Sequence, residues 1–384
     1  MVVEARFASP GTGRLRPVGA WSLVLLTSLG LGCDASPSGP VEEAPNCFLS
    51  LLRGTLEGSQ LPGVGAAVVR AVGIEEAGVA GVRRFPGGDS LRLNDRFHLG
   101  SETKAMIATA AGRLVERGEL VWSLSPLEVF PELAGTLHTG FEDVVLQDLL
   151  AHRAGIQAYT TGAEWQSLHG FPGNEEERRR GFAIWLLQRP PAVAPGSYLY
   201  SNAGYAIAAS MLEQVTGRSW RTLLQEEVFD PLGLTTAGFG WPALADPNQP
   251  WGHQLASGQL KSHPPVDPYR VPELLAPAGD VHMSVRDFGT FVQAHLRGLR
   301  GEDGFLRAET VAYLHTPVGG YAMGWGVGYR GAELWSTHNG SAGTFYAVMM
   351  VAHTRDAAVV VVTNAGGTKA ADGARALANR LSQN

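Results

Sequence analysis

Apolar positions along the chain follow two different periods, and the switches between them outline the fold. Phe48 to Leu56 spaces its apolar residues as one face of a short amphipathic helix. Leu61-Pro62-Gly63 breaks that pattern, and the β-branched run Val64 to Val72, followed by the apolar run Ile74 to Val82, predicts a hairpin. The middle of the chain is helical in pattern: Lys104 to Gly118, Leu146 to Leu150, Gly181 to Gln188, Tyr205 to Thr216, Trp220 to Phe229 and Ser284 to Arg297 carry apolar residues three and four apart. Strand patterns return over Tyr321 to Tyr329, Thr344 to Ala352 and Ala357 to Thr363, before a helix from about Lys369 to Leu381. Strand blocks around a long helical stretch predict an α+β fold: one antiparallel sheet built from both chain ends and flanked by helices, with a mostly helical inserted subdomain.

The residues before Phe48 read as targeting rather than fold. Arg14 and Arg16 precede an apolar run from Val18 to Leu31, short for a membrane span and the size of a signal-peptide core. The run ends in Leu29-Gly30-Leu31-Gly32-Cys33, which resembles the lipobox of bacterial lipoprotein signals, although Gly30 stands where leucine is usual and Leu31 where a small residue is usual. The expected organisation is a lipoprotein-type signal peptide over 1–33, a flexible Pro- and Ser-rich tether over 34–46 and one domain over 47–384. The resemblance implies export to the cell envelope and a membrane tether through lipidated Cys33. The only other cysteine is Cys47, so acylation of Cys33 would leave it unpaired, whereas a secreted soluble form could join the two in a disulfide.

Composition narrows the class. A chain of 384 residues, 45% hydrophobic and 17% charged, can bury one large core or two subdomains, and its 49 glycines and 23 prolines imply many loops. A net charge of -6 and the lack of basic clusters interleaved with aromatics argue against a nucleic-acid partner. The run Glu175-Glu176-Glu177-Arg178-Arg179-Arg180 reads as a solvated helical face. The sequence contains no His-Glu-x-x-His, no Cys-x-x-Cys and no Gly-rich phosphate loop, so neither a metal nor a cofactor is expected.

Of the 30 basic residues only Lys104, Lys261 and Lys369 are lysines. Arginine cannot lose its proton in a protein and lysine can, so a chain biased to arginine keeps lysine where a proton must move. Lys104 follows Ser101 by three residues, on one helical face if the helix begins after Gly100, which makes the two a candidate nucleophile and base. Tyr200-Ser201-Asn202 offers a second group: a tyrosine beside an ammonium ionises more easily and could relay a proton, and the Asn202 amide could orient Lys104 and substrate. His338-Asn339-Gly340, expected between two strands, is the third: the histidine could donate to a substrate carbonyl or carboxylate, Gly340 lets substrate approach the backbone, and the Ser341 amide could complete an oxyanion hole. Each pattern alone is weak; the bland alternatives are a loop tyrosine and a strand-edge histidine. Ser341 also sits in an imperfect Gly-x-Ser-x-Gly, but a strand follows where that elbow needs a helix. Trp165, Trp241 and Trp251 read as packing under long loops rather than pocket walls.

Order and surroundings strengthen these patterns. The stretches Phe97 to Lys104, Asp148 to Ile156, Pro195-Gly196 with Tyr200 to Tyr205, Val215-Thr216-Gly217, Phe229 to Leu234, Pro277 to Asp280, Met323 to Gly326 and His338-Asn339-Gly340 follow one another as in a known family. The chain resembles the serine β-lactamase and penicillin-binding family, in the branch of class C β-lactamases, D-Ala-D-Ala carboxypeptidases, D-aminopeptidases and related esterases, over nearly all of Phe48 to Leu381. That resemblance implies a serine hydrolase acting through an acyl-Ser101 intermediate on an amide, peptide or ester of a small molecule or peptide. Lys104 and Tyr200 would share base work, Asn202 would support them, His338 and Gly340 would form the third motif, and the amides of Ser101 and Ser341 the oxyanion hole. His152 matches a structural position. The Lys-Thr-Gly that class C β-lactamases themselves carry at the third motif is absent here, and the His-x-Gly form resembles that of the peptidase and esterase members, which disfavours the alternative of a true β-lactamase. A catalytically silent cell-wall or partner-binding protein is the other alternative, disfavoured because all three motif positions are present.

Overall fold

Strands from the two ends of the chain carry the most continuous apolar runs, and they pair with each other. A computed structural model describes residues 47–168, 170–256, 259–266 and 270–383. The expected signal peptide, tether and Cys33 lie outside the described residues. Strands β1 (Gly63–Arg70), β2 (Gly73–Gly81), β3 (Gly326–Arg330), β4 (Glu333–Ser341), β5 (Tyr346–Ala352) and β6 (Ala358–Thr363) form a six-stranded sheet in the order β2-β1-β6-β5-β4-β3. The pairing is antiparallel throughout, and the ends of the chain meet where Val64 lies opposite Thr363 and Val69 opposite Ala358.

β5 and β6 are buried along their whole length because helices cover both sheet faces. On one face Ala67, Val69, Met349, Val360 and Val362 share a core with Phe288, Phe291 and Val292 of α4 (Val285–Leu299) and with α2 (Thr103–Glu116). On the other, Val64, Val68, Val348, Val359 and Val361 pack with Phe48 and Leu52 of α1 (Cys47–Ser59) and with Ala374 and Leu377 of α5 (Thr368–Leu381). The helical stretch between the strand blocks is led by α3 (Asn202–Thr216), which Ser201 caps by accepting the Gly204 amide at 2.9 Å and Gly217 ends at φ 66°. The α+β architecture with its helical insertion is therefore the one expected from the pattern.

Several local expectations are corrected. The helix expected over Trp220 to Phe229 is α-helical only over Trp220–Leu224 and continues as a π turn over Gln225–Phe229. The strand expected over Tyr321 to Tyr329 is limited to Gly326–Arg330, because Gly324 takes φ 84° to back onto α2, where a Cβ would lie 2.6 Å from Ala105 Cα. The charged run at 175–180 opens a helix over Glu175–Leu187, but Arg179 is 0% exposed and not solvated. It turns inward to Glu213, with Nη2 at 2.9 Å and Nε at 3.0 Å from the two carboxylate oxygens.

Candidate active site

A short strand and a tight turn build the centre of the site. Arg96–His98 pairs with Val281–Ser284, after which Gly100, at φ 54°, starts a 3₁₀ turn over Gly100–Glu102 that runs into α2. Ser101 thus lies in the turn ahead of the α-helix. Its position is set by close backbone approach to β4: a Cβ on Gly100 would lie 2.5 Å from the Ser341 nitrogen, and one on Gly340 only 1.7 Å from the Leu99 carbonyl oxygen. Only glycine fits at either point. The Gly100 amide donates to His98 Nδ1 at 3.1 Å, and His98 Nε2 lies 3.2 Å from Asp280 Oδ1, so the carboxylate selects the tautomer that shapes the turn. Thr103 Oγ1 donates to the Gly100 carbonyl at 2.7 Å and accepts the Val281 amide at 3.1 Å, tying the same turn to the neighbouring strand.

Lys104 occupies the first turn of α2 at 0% exposure. Its Nζ lies 2.8 Å from Asn202 Oδ1, 2.7 Å from the Ala278 carbonyl oxygen and 3.2 Å from Ser101 Oγ. Burial pushes the amine well below its usual basicity, opposed only in part by the Glu102 carboxyl. A neutral amine has two N–H bonds and one lone pair. With the N–H bonds directed at Asn202 and Ala278, the lone pair is left for the Ser101 hydroxyl.

The loop before α3 is held from beneath. Asn202 Nδ2 donates to the Tyr159 carbonyl at 2.9 Å, which turns its oxygen towards Lys104. His152, at φ 59°, accepts the Ser201 amide on Nδ1 at 3.1 Å and packs against the Tyr200 ring, with centroids 4.3 Å apart and the planes tilted by 46°, while its carbonyl accepts the Leu199 amide. This gives the structural position expected for His152 a definite task, which is to seat Tyr200 and Asn202. The Tyr200 ring centroid lies 4.8 Å from Lys104 Nζ. Burial raises the pKa of Tyr200, and the neighbouring Ser101 hydroxyl opposes this only in part. The expected easing of Tyr200 ionisation by an ammonium is therefore corrected: burial raises the pKa of the phenol and lowers that of the lysine beside it.

The third motif lies inside β4, not between strands. β3 pairs with β4 only as far as Thr337, leaving His338 to Ser341 with a strand neighbour on the β5 side alone. His338 faces inward: its Nε2 is 3.1 Å from the Tyr321 hydroxyl and its Nδ1 3.6 Å from Glu102 Oε2. Burial lowers its pKa to about 3, so the ring is neutral. The expected donation from His338 to a substrate carboxylate is corrected accordingly, because both ring nitrogens face protein groups and carry no positive charge. The site thus gathers Ser101, Lys104, Tyr200, Asn202, His338, Gly340 and Ser341.

The sequence reading passed over Glu102, His98, Asp280, Tyr159 and Tyr321. Asp280 and His98 sat inside quoted stretches, but their pairing over 182 positions has no local signature. Two of the tryptophans pack as expected, Trp165 Nε1 donating to the Tyr159 carbonyl at 2.8 Å and Trp241 buried against Phe345, whereas Trp251, beneath the Arg84 guanidinium, lines a surface cavity with Arg83, Asp89 and Gln249. Among the described residues no histidine, cysteine and carboxylate group is arranged to hold a metal.

Comparison with known proteins places this geometry in context. Penicillin-binding protein 4 of Amycolatopsis lactamdurans is 25% identical over 326 residues, 80% of this chain and 81% of that protein. An unguisins hydrolase of Aspergillus campestris is 24% identical over 340 residues, 83% of this chain and 61% of that protein. Other curated relatives are matched over about half their length, 46% and 42% in two cases. Among solved structures, the octameric penicillin-binding protein homologue from Pyrococcus abyssi superposes with a TM-score of 0.71 at 20% identity, covering 87% of this chain and 77% of that one. The family model described as Beta-lactamase matches residues 48–383, and this chain belongs to that family.

Proposed function

We propose that the protein is a serine hydrolase that opens amide, peptide or ester bonds through an acyl-Ser101 intermediate. The observation that carries this reading is the Lys104 amine, buried and 3.2 Å from Ser101 Oγ, with its other bonds made to Asn202 and Ala278 and its basicity lowered by burial. The Ser101 oxygen attacks the substrate carbonyl as its proton passes to Lys104 Nζ. The negative charge that develops on the carbonyl oxygen is met by the amides of Ser101 and Ser341. Tyr200, whose phenol pKa burial raises, donates its proton to the leaving group as the scissile bond breaks and regains one from Lys104. Water then attacks the acyl ester by the same route, releasing the acid and restoring Ser101.

Substrate in this reading lies along the open side of β4, as an extended segment against His338 to Ser341. No Lys-Thr-Gly supplies a fixed cation there and His338 is neutral, which favours peptidase or esterase substrates over rapid β-lactam turnover. Hydrolysis of p-nitrophenyl acetate and of nitrocefin by the full chain and by Ser101→Ala tests the reading. Turnover should vanish in the variant with the fold intact by circular dichroism; turnover retained by Ser101→Ala refutes the assignment.

The proposed setting is the bacterial cell envelope, with the chain exported and tethered through acylated Cys33. The apolar run Val18 to Leu31 ending at Cys33 supports it, and among the described residues no helix is long and apolar enough to cross a membrane. The alternative fate of Cys33 is a disulfide with Cys47, the other cysteine of the sequence. Peptide mass mapping separates the two fates, because a diacylglyceryl thioether on Cys33 and a Cys33–Cys47 disulfide exclude each other.

A further inference from the structure

Asn202 presents its oxygen to Lys104 because its nitrogen is engaged on the other side, and the group that engages it is held in an unusual way. Tyr159, whose carbonyl accepts Asn202 Nδ2 at 2.9 Å, takes φ 48°, a left-handed conformation that a bulky side chain seldom adopts. The two residues before it face the same loop: the Ala158 carbonyl accepts the Asn202 amide at 2.8 Å, and the Gln157 carbonyl accepts the Ser201 hydroxyl at 2.6 Å. Successive carbonyls from Gln157 to Tyr159 thus support Ser201 and Asn202.

One carboxylate gathers the strained turn. Glu164 Oε1 accepts the Tyr159 amide at 3.1 Å, and Oε2 accepts the Thr160 amide at 2.8 Å, the Thr161 amide at 2.9 Å and the Thr161 hydroxyl at 2.9 Å. Burial pushes the Glu164 pKa up, but the bonds from Thr161, Thr160 and Tyr159 outweigh it and hold the carboxyl below its usual value. Thr161 caps a short helix over Gly162–Gln166, of which Glu164 is the third residue, and that capping box accounts for the bonds to Thr161. It does not account for those to Tyr159 and Thr160, which lie ahead of the cap. Trp165, next along the helix, gives the Tyr159 carbonyl a second donor through Nε1 at 2.8 Å.

We propose that Glu164 is a positioning residue for the base: its carboxylate holds Tyr159 in the left-handed turn, and the Tyr159 carbonyl in turn fixes which end of the Asn202 amide faces Lys104. The orientation decides the chemistry. With Oδ1 towards Lys104, Asn202 accepts one of the amine's N–H bonds and leaves the lone pair to the Ser101 hydroxyl. With the amide reversed, Nδ2 would donate into that lone pair, leaving no base for Ser101, and Oδ1 would face the Tyr159 carbonyl, oxygen against oxygen. The catalytic consequence rests on the acyl-Ser101 reading, but the hold on the Asn202 amide does not.

Glu164→Gln in the full chain separates this role from the cap. Glutamine keeps one acceptor oxygen, which the Thr160 and Thr161 donors claim in the place of Oε2, and it sets an amide nitrogen against the Tyr159 N–H in the place of Oε1. With p-nitrophenyl acetate, kcat/KM should fall by roughly tenfold in Glu164→Gln. Thr161→Ala, which removes the capping hydroxyl and leaves the Tyr159 contact, should stay within about twofold of the parent, because a cap acts on stability rather than on rate. In an Asn202→Ala background the Glu164→Gln loss should disappear, since both act through one amide, whereas a packing role alone would multiply the two losses. An equal loss in both backgrounds, or no loss in the parent, overturns the proposal. Hydrogen exchange reads the same contact without turnover, and so separates failure of this proposal from failure of the proposed function. The nitrogen-15 signal of the Asn202 side-chain amide, assigned by its loss in Asn202→Ala, should exchange its protons with water faster in Glu164→Gln than in the parent, and unchanged exchange refutes the hold even where no Ser101-dependent turnover is found.

Discussion

Two helices of this protein each bury a basic side chain at 0% exposure, and they treat it in opposite ways. Arg179 meets the Glu213 carboxylate with two donors, at 2.9 and 3.0 Å, and Glu175 beside it at 3.3 Å. Lys104 meets an amide oxygen, a backbone carbonyl and a hydroxyl, while the carboxyl nearest in sequence, Glu102, makes no hydrogen bond to it. A guanidinium keeps its charge and its planar fork matches a carboxylate, so the first arrangement fastens two helices. An amine buried among neutral acceptors has its basicity lowered instead, so the second arrangement favours a base. Burial is the same in both places, and the partner decides between structure and chemistry.

Exchanging the side chains should break the contrast most severely at the catalytic end. Lys104→Arg retains a cation that cannot accept the Ser101 proton, so Ser101-dependent hydrolysis of p-nitrophenyl acetate should fall by roughly a thousandfold or more; a loss under about tenfold would mean that Lys104 is not the base. At the structural end, Arg179→Met strands Glu213 in the interior with only the Trp220 amide, at 2.9 Å, as a remaining donor. Urea unfolding should show a loss of about 3–5 kcal/mol, and a change below about 1 kcal/mol would put Arg179 among ordinary surface pairs.

A subtler contrast concerns pH. The folded Lys104 has a pKa below its reference of 10.5, so between the two values the unfolded chain binds a proton that the folded chain does not, and stability rises with pH through that window. Lys104→Met should remove that rise, so the variant gains on the parent as pH falls below 10.5, whereas Arg179→Met should leave the slope unaltered. The smallest effect belongs to His338, whose pKa of about 3 keeps it neutral at ordinary pH. His338→Gln should leave the shape of the kcat/KM profile between about pH 5 and 9 unchanged, and an inflection near the usual histidine value of about 6.5 that disappears in the variant would show a charged ring.

The sheet was legible because strand periodicity is local: β1, β5 and β6 are apolar runs that could only be buried, and their pairing across the chain follows from covering both faces. The break at Gly324 was not, since it depends on α2 approaching closely enough to exclude a Cβ. Ser101 and Lys104 were legible through their spacing and the scarcity of lysine. Glu102 stands between them yet gave no signal, because its burial comes from β4 and β5 closing over the turn. The same holds for Arg179, whose neighbours Arg178 and Arg180 suggest solvent and whose partner Glu213 lies 34 positions away. Charged residues reveal their role only through the far side of a contact, whereas apolar residues announce theirs by period.

The most direct measurement is intact-mass spectrometry of the full chain, of Ser101→Ala and of Lys104→Arg after separate exposure to a penicillin and to p-nitrophenyl acetate, with peptide mapping of any adduct. The account predicts an acyl adduct on Ser101, persistent with penicillin or transient with the ester, that is absent from Ser101→Ala and strongly slowed in Lys104→Arg. An adduct that survives in Ser101→Ala, or that forms at the parent rate in Lys104→Arg, would contradict it.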